Sequence, residues 1–196
     1  MSILLDAGPS LNFLAVGQEN ILIQLGASHD LQLTVPTRVY EEVVGVAKSR
    51  RFKKTGVARK WPTLRDSGRL VVLADDLTTV AMTDAVTRIS GVPAETRVRS
   101  RASLGEILVL AHASVFAQQG QDVFVLIDES DGRRRAKEEA LWLRRHGHRG
   151  VLTLWSTPQV LQAAARHPGW IKGGLKWEAV YDRMEPFDDA LPPRRR

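Results

Sequence analysis

Five short apolar runs, separated by stretches with helical periodicity, constrain the fold of this chain more than any other feature. The runs cover residues 3–5, 31–35, 70–73, 123–127 and 151–155, and they read as strands that are apolar on both faces. Such strands are typical of parallel sheets covered by helices, because neither face of the sheet meets water. The alternation therefore predicts an α/β protein with a mainly parallel central sheet. The intervening helices are predicted over residues 11–16, 20–25, 37–44, 83–89, 103–116, 132–146 and 158–166.

The length of the chain, 196 residues, suits one domain with a substantial core, since 43% of the residues are hydrophobic. We expect a single domain over residues 1–185, followed by a disordered basic tail over residues 186–196. The chain has no cysteine, which excludes disulfides, zinc–thiolate sites and thiol nucleophiles. The first ten residues lack a basic region, and no apolar stretch approaches the roughly 20 residues that a membrane helix needs. We therefore expect a cytoplasmic protein with no membrane partner.

Acidic side chains follow the ends of three predicted strands. They are Asp6 after the first run, Glu41 and Glu42 after the second, and Asp128, Glu129 and Asp131 after the fourth. In open α/β sheets the functional site lies at the carboxyl ends of the strands, so these acids should meet at one edge. Glu106, at the start of the helix before the fourth strand, could join them. Crowded carboxylates repel each other unless a cation compensates them, and Mg²⁺ prefers oxygen ligands of this kind.

Each acid also has a structural interpretation. Asp6 and Asp131 could each cap the helix that follows. Glu106 fits a capping box with Ser103, in which the two residues bond to each other's backbone amides. The adjacent glutamates after the second strand cannot easily both face one metal, because neighbours on a helix project about 100° apart. The argument for a site therefore depends on the placement of all the acids together.

Four segments resemble one known family: LLDAGPSLNFL at 3–13, VPTRVYEEVV at 35–44, LGEILVLAHA at 104–113 and VLIDESDGRRRA at 125–136. Together they resemble the PIN-domain nucleases of the VapC-like kind, which are the toxins of many bacterial toxin–antitoxin pairs. The resemblance spans about residues 1–180, with the segments in the right order. It implies a PIN-like fold, which is a three-layer α/β/α arrangement of the Rossmannoid type.

The resemblance also implies the site and its chemistry. The family's catalytic and metal-binding acids match Asp6, Glu42, Glu106 and Asp128. Its "V-x-x-E" spacing selects Glu42 rather than Glu41. The next acid in the family is more usually Asp, so either Glu129 or Asp131 completes the site here. The implied activity is endonucleolytic cleavage of RNA that depends on Mg²⁺ or Mn²⁺, and the family's partners would be a cognate antitoxin protein and a second copy in a homodimer.

The formal net charge is +6, and much of it lies in residues 48–60, here called the basic segment. Its side chains predicted to bind RNA are Lys48, Arg50, Arg51, Lys53 and Lys54, with Arg133 from the long helix. Lysine and arginine neutralise phosphates, and the nearby Phe52 and Trp61 could stack on unpaired bases. A solvated helix face or loop is the alternative. Three arginines could form the opposite rim of the cleft: Arg97, Arg99 and Arg101.

Three other functions fit the sequence less well. A phosphatase of the haloacid dehalogenase type needs a second Asp two residues after the first, and Gly8 stands there. A nucleotide-binding protein would carry a glycine-rich phosphate loop after the first strand, which this sequence lacks. A non-catalytic module that binds RNA or protein would be expected to have lost one of the four matched acids. All four are present, so the nuclease is the leading hypothesis.

Overall fold

In the computed structural model, which describes residues 1–100 and 102–191, five strands form one parallel sheet. The strands are β1 (Ser2–Leu5), β2 (Gln32–Pro36), β3 (Leu70–Leu73), β4 (Val123–Leu126) and β5 (Leu152–Trp155). Their order across the sheet is β3-β2-β1-β4-β5, and each neighbouring pair is parallel. The predicted α/β class is confirmed, and each strand lies where the apolar runs indicated.

Helices flank the sheet throughout the described residues. They are α1 (Ala7–Ala15), α2 (Glu19–Ser28), α3 (Thr37–Val46), α4 (Val57–Asp66), α5 (Val80–Ser90), α6 (Ala94–Arg97), α7 (Leu104–Gln118), α8 (Ser130–Arg145), α9 (Thr157–Ala164) and α10 (Trp177–Met184). Short 3-10 turns cover Lys172–Gly174 and Glu185–Phe187. Local sequence explains several helix starts: α9, for example, begins at a capping box formed by Ser156 and Gln159.

The apolar helix α7 organises one of the two helical layers. Nearly all of its side chains are buried, as expected for a helix that is hydrophobic on every side. It packs against the sheet and between α5 and α8. In the other layer α1 contacts α2, α4 and α10, and α9 contacts α2 and α10. The protein is therefore a three-layer α/β/α structure, as predicted.

Three helices that the sequence did not predict are α4, α6 and α10. The buried side chains of α4 are Val57, Trp61 and Leu64, which repeat at helical spacing on an otherwise polar helix that contains Pro62. Trp61 is 1% exposed and stacks on Tyr40 with ring centroids 5.7 Å apart. The prediction that this tryptophan stacks on RNA bases is wrong, because the side chain belongs to the core.

The order of the strands reverses at β1, and this is the feature that positions the site. The chain adds β2 and β3 on one side of β1 and β4 and β5 on the other. Leu5 pairs with Leu126 at the ends of the two central strands, and the Asp6 amide donates to the Leu126 carbonyl at 3.1 Å. Ligands of open α/β sheets bind in the crevice at such a switch point. Asp6 and Asp128 therefore lie on its two sides.

The end of the described chain packs against the domain. The predicted tail begins in the turn Glu185–Phe187, and Asp188 then accepts a hydrogen bond from Asn12 in α1. Residues 192–196, with the three terminal arginines, lie outside the described residues, as does Arg101. Within the described ranges, no helix has the length and apolar character needed to cross a membrane.

Candidate metal-binding site

Acidic side chains line a pocket of about 660 Å³ beside the switch point. They are Asp6, Glu42, Glu106, Asp128, Glu129 and Asp188. The first five were expected from the strand ends and from the start of α7, and the structure brings them together. Asp188 was not expected, because it follows no strand and lies in the segment predicted to be a tail. The pocket is therefore richer in carboxylates than the sequence indicated.

Asp6 directly follows β1 and precedes α1. Its backbone takes the N-cap position, but its side chain makes no capping hydrogen bond to any described residue. Burial raises the pKa of Asp6 from 3.8 to about 7, the Ala7 amide opposes this, and the charges of Glu42, Glu129 and Asp128 raise it further. A carboxyl group in this state gains by binding a cation, which would offset both the burial and the repulsion.

Asp128 lies two residues beyond β4 and is 3% exposed. Its Oδ1 accepts a hydrogen bond from the Thr157 amide at 2.8 Å, and its Oδ2 accepts one from the Thr157 hydroxyl. These bonds fix the carboxylate at the start of α9. Burial nevertheless raises the pKa of Asp128 from 3.8 to about 6, with the Thr157 hydrogen bonds opposing the rise. Each oxygen keeps a second lone pair, so the group can still bind a cation.

Glu106 is the most unusual member of the cluster. It is 4% exposed, and neither carboxylate oxygen has a hydrogen-bond partner among the described residues. The predicted capping box is wrong, since the Ser103 side chain makes no capping bond in the described structure. Burial, followed by the charges of Asp6, Glu129 and Asp131, raises the pKa of Glu106 from 4.5 to about 8. A buried, unpaired carboxylate costs free energy, so a ligand that neutralised it would stabilise the site.

The adjacent glutamates of α3 occupy different positions. Both side chains are exposed, but Glu42 lines the pocket and Glu41 does not contribute to the described pocket wall. Burial raises the pKa of Glu42, Arg38 one turn earlier opposes the rise, and Glu129 adds to it. The family spacing had favoured Glu42 over its neighbour, and the geometry agrees with that choice.

Glu129 and Asp131 also have different surroundings. Glu129 lines the pocket from the N-cap position of α8. Asp131 points to two arginines of its own helix, with Arg134 at 2.6 Å and Arg135 at 2.7 Å. Those hydrogen bonds lower the pKa of Asp131. Of the two residues that could complete the site, Glu129 is therefore the one that faces it.

Two glycines make room for the carboxylates. A Cβ atom at Gly132 would lie 2.5 Å from the carboxyl group of Glu106 and 2.8 Å from Ile127 Cγ2. A Cβ atom at Gly105 would lie 3.0 Å from Glu42 Oε2. Real Cβ atoms do not approach so closely, so a larger residue at position 132 would displace Glu106. Both glycines stand inside the segments that resemble the PIN family, but their role could not be read from the sequence.

The side chains of the cluster are of the chemical type that binds a hard cation. It offers carboxylate oxygens, several of them with raised pKa values, and one buried carboxylate without a hydrogen-bond partner in the described structure. No group of three or more His, Cys, Asp or Glu side chains among the described residues is already arranged to hold a metal ion. Mg²⁺ commonly binds through one or two carboxylates plus water and substrate phosphates, so a complete protein cage is not required.

Comparisons with models of protein families, with curated proteins and with solved structures find no match to this chain. The likeness to the PIN-domain nucleases therefore remains a prediction from four short motifs. The function of the site is therefore inferred from its own side chains.

The basic segment borders the pocket, as predicted, because Ser49, Arg51 and Phe52 line it. Its exposed cations that are open to a polyanion include Lys48, Arg50, Lys53, Lys54 and Arg59. Phe52 is 3% exposed and lies against Phe187, so the prediction that it stacks on RNA bases is wrong. Arg51 is engaged by the C-terminal segment, donating to the Pro186 carbonyl at 2.6 Å and pairing with Asp189 at 3.2 Å.

Two other predicted RNA contacts have structural roles. Arg133 donates from one guanidinium nitrogen to the carbonyls of Ile127 at 3.0 Å and Trp155 at 3.2 Å, which ties together the ends of β4 and β5. Arg97 is 8% exposed and donates to the carbonyls of Ser100 and Ala102. The prediction that Arg97 forms the opposite rim of the cleft is wrong, because its guanidinium closes the turn before α7.

Proposed function

We propose that this chain is a Mg²⁺- or Mn²⁺-dependent endoribonuclease with a PIN-like site. The observation that carries the proposal is the buried carboxylate of Glu106, which has no hydrogen-bond partner among the described residues and faces a pocket lined by other acids. Such a group is stabilised by a cation and has no evident use as a structural element. The place of the pocket, at the switch point of an open parallel sheet, supports a ligand-binding role.

The residues have separate tasks in this proposal. Asp6, Glu42, Glu106 and Asp128 would hold the cation. A bound Mg²⁺ or Mn²⁺ supplies a water of lowered pKa and stabilises negative charge on the phosphate. Glu129, which lines the pocket and is exposed, would accept a proton from the attacking water. Arg38 also lines the pocket, and its buried Nε has no hydrogen-bond partner in the described structure, so it can donate to a substrate phosphate.

RNA is the proposed substrate because exposed cations flank the acid pocket. Lysine and arginine neutralise a nucleic-acid backbone without reading its sequence, which would bring a phosphodiester to the pocket. The likeness to VapC-like toxins further suggests a cytoplasmic toxin with a cognate antitoxin protein and a homodimeric state. The toxin role, the antitoxin partner and the homodimer extend the proposal, and they depend on the four sequence motifs alone.

The alternative is a non-catalytic module that binds RNA or protein and retains the fold. One observation favours it: both oxygens of Asp128 are already bonded to Thr157, so this acid also has a structural use at the start of α9. The two functions differ in their need for metal. A binding module would still bind RNA in the presence of a chelator, whereas a metal-dependent nuclease would stop cleaving RNA.

The decisive experiment is an RNA cleavage assay on a single-stranded substrate with Mg²⁺ or Mn²⁺, with and without EDTA. We expect cleavage that EDTA abolishes, and a loss of about 100-fold or more in Glu42→Gln, because a ligand oxygen facing the pocket is removed. Glu41→Gln is the matched control and should keep at least about half of the activity. Cleavage that persists in EDTA, or the reverse ranking of the two variants, would overturn the proposal.

A second expected result concerns the exposed cations of the basic segment. Replacing Lys48, Arg50, Lys53 and Lys54 with Ser should weaken RNA binding for all sequences. On single strands the slope of log affinity against log salt should flatten by about 0.7 for each lost phosphate contact. Filter binding in EDTA over a series of salt concentrations measures the slope. Four exposed arginines that line no part of the acid pocket, Arg144, Arg145, Arg149 and Arg166, replaced with Ser, are the matched control. An unchanged slope in the variant of the basic segment would assign that segment to solvated surface.

A further inference from the structure

The C-terminal segment, here residues 185–191, forms part of the wall of the acid pocket. Phe187, Asp188 and Ala190 line the pocket together with the acids at the strand ends. The Oδ2 atom of Asp188 accepts a hydrogen bond from Asn12 Nδ2 at 2.7 Å, and its Oδ1 accepts one from the Ala190 amide at 2.8 Å. The Asp188 carboxylate therefore has a defined orientation at the pocket.

The partner of Asp188 is an unusual residue for its position. Asn12 lies in α1 and is 0% exposed, in a helix whose other buried side chains are apolar except for Ser10. Its Oδ1 atom is buried and has no hydrogen-bond partner in the described part of the chain. A buried amide that is half satisfied costs free energy relative to an apolar residue of similar size. The hydrogen bond described for the Asn12 side chain is with Asp188, so the structure uses this amide to hold that carboxylate.

Two residues of the basic segment, Arg51 and Phe52, also hold the C-terminal segment in place. Arg51 donates to the Pro186 carbonyl at 2.6 Å and pairs with Asp189. The rings of Phe52 and Phe187 pack with their centroids 5.3 Å apart. Asp188 lies between these contacts and the first turn of α1, where a Cβ atom at Gly8 would come within 3.2 Å of Asp188 Oδ2. The position of the carboxylate is therefore set from several sides.

A purely structural tether would not need a carboxylate here. A neutral acceptor could take the hydrogen bond from Asn12, whereas a charged one adds repulsion to a pocket that already holds five acids. The charge of Asp188 acts on its neighbours, since it contributes to the raised pKa of Asp128. Glu106, with both oxygens buried and unbonded in the described structure, independently indicates that this pocket takes a cation. A bound cation would turn the repulsion into attraction.

We propose that Asp188 binds the divalent cation, directly or through a water molecule, and that Asn12 positions Asp188 for this task. The inference rests on the proposed function, since it requires the pocket to bind a divalent cation. It makes the C-terminal segment a component of the site, and it makes Arg51 and Phe52 supports of that segment.

The test is the affinity of the full-length chain for Mn²⁺, measured by calorimetry in the absence of RNA. Asp188→Asn should weaken Mn²⁺ binding by about 10-fold or more, and Asp188→Glu, which restores the charge, should recover part of the loss. Glu185→Gln is the control: it removes a negative charge from an exposed residue of the same segment that does not line the acid pocket, and should change the affinity less than about twofold. Asn12→Ala should weaken binding in the wild-type background and have no further effect in Asp188→Asn.

The outcomes separate the two proposals. If Asp188→Asn bound Mn²⁺ as the wild type does while Asp6→Asn did not, Asp188 would not belong to the site and the proposed function would stand. A variant that lost thermal stability but kept the affinity would show that Asp188 is a tether, which also overturns the inference. Equal losses in Asp188→Asn and Glu185→Gln would reveal a general charge effect and would overturn the inference. A wild-type chain that bound no Mn²⁺ would overturn both proposals.

Discussion

Asp6→Asn is expected to lower the rate of RNA cleavage by about 1000-fold or more, and at the same time to raise the melting temperature of the cation-free protein. The loss of rate follows from removing a cation ligand at the centre of the switch point. The gain in stability follows from the electrostatics, because burial, followed by repulsion from Glu42, Glu129 and Asp128, raises the pKa of Asp6 to about 7. Removing its charge relieves that repulsion when no cation is bound.

Cleavage kinetics and thermal unfolding of the same preparations measure both effects. Asp84→Asn is the matched control, since Asp84 is exposed on α5 and does not line the acid pocket described above. It should leave the rate and the melting temperature nearly unchanged. A fully active, folded Asp6→Asn protein would contradict the proposed site. A variant that lost both activity and stability would instead indicate that Asp6 is mainly a structural residue of the β1–α1 junction.

Glu106→Gln is expected to stabilise the cation-free protein at about pH 8 by about 2 kcal/mol, which corresponds to roughly 4–8 °C in melting temperature. Burial raises the pKa of Glu106 from 4.5 to about 8. Between these two values the native state binds more protons than the unfolded state, so the free energy of unfolding falls as the pH rises. Below about pH 4.5 the carboxyl group is protonated in both states, and the variant should have little advantage.

Thermal unfolding from about pH 4 to pH 9 in EDTA measures this dependence. The wild type should lose stability across the interval, and Glu106→Gln should lose less, while Asp6 and Asp128 maintain part of the slope. Glu95→Gln, at an exposed position of α6, is the control and should follow the wild type. Added Mg²⁺ should restore stability to the wild type at about pH 8 and have a smaller effect in Glu106→Gln. A variant less stable than the wild type at about pH 8 would contradict this account of Glu106.

The fold could be predicted from the sequence because burial leaves a direct pattern in it. Strands buried on both faces are apolar throughout, and α7 is apolar on all sides, so both were visible. Helix α4 was missed because its core face consists of Val57, Trp61 and Leu64 within a basic, proline-containing stretch. The basic residues of that stretch are typical of an RNA-binding segment, and they hide the helical spacing of its core residues. The spacing of those three residues is the signal that would have identified the helix.

The acids at the strand ends could be predicted because the topology of a parallel sheet brings them to one edge. Asp188 could not, since its place depends on how the chain returns after α10 and on contacts with Asn12 and Arg51. Arg133 and Arg97 look like phosphate ligands in the sequence, yet the structure uses both to satisfy backbone carbonyls. An arginine's role depends on which acceptors the fold brings within reach, and that information is not local.

The missing side chain at Gly132 has a consequence for how the sequence can change over time. Because a Cβ atom there would lie 2.5 Å from the Glu106 carboxyl group, which would then have to move, positions 132 and 106 are coupled. A lineage that keeps the acid must keep the glycine, and a lineage that loses the acid is released from that constraint. Among descendants of this chain, alanine or serine at position 132 should therefore appear together with a shorter residue at position 106. The pair would serve as a marker that separates lineages retaining the site from those that have abandoned it.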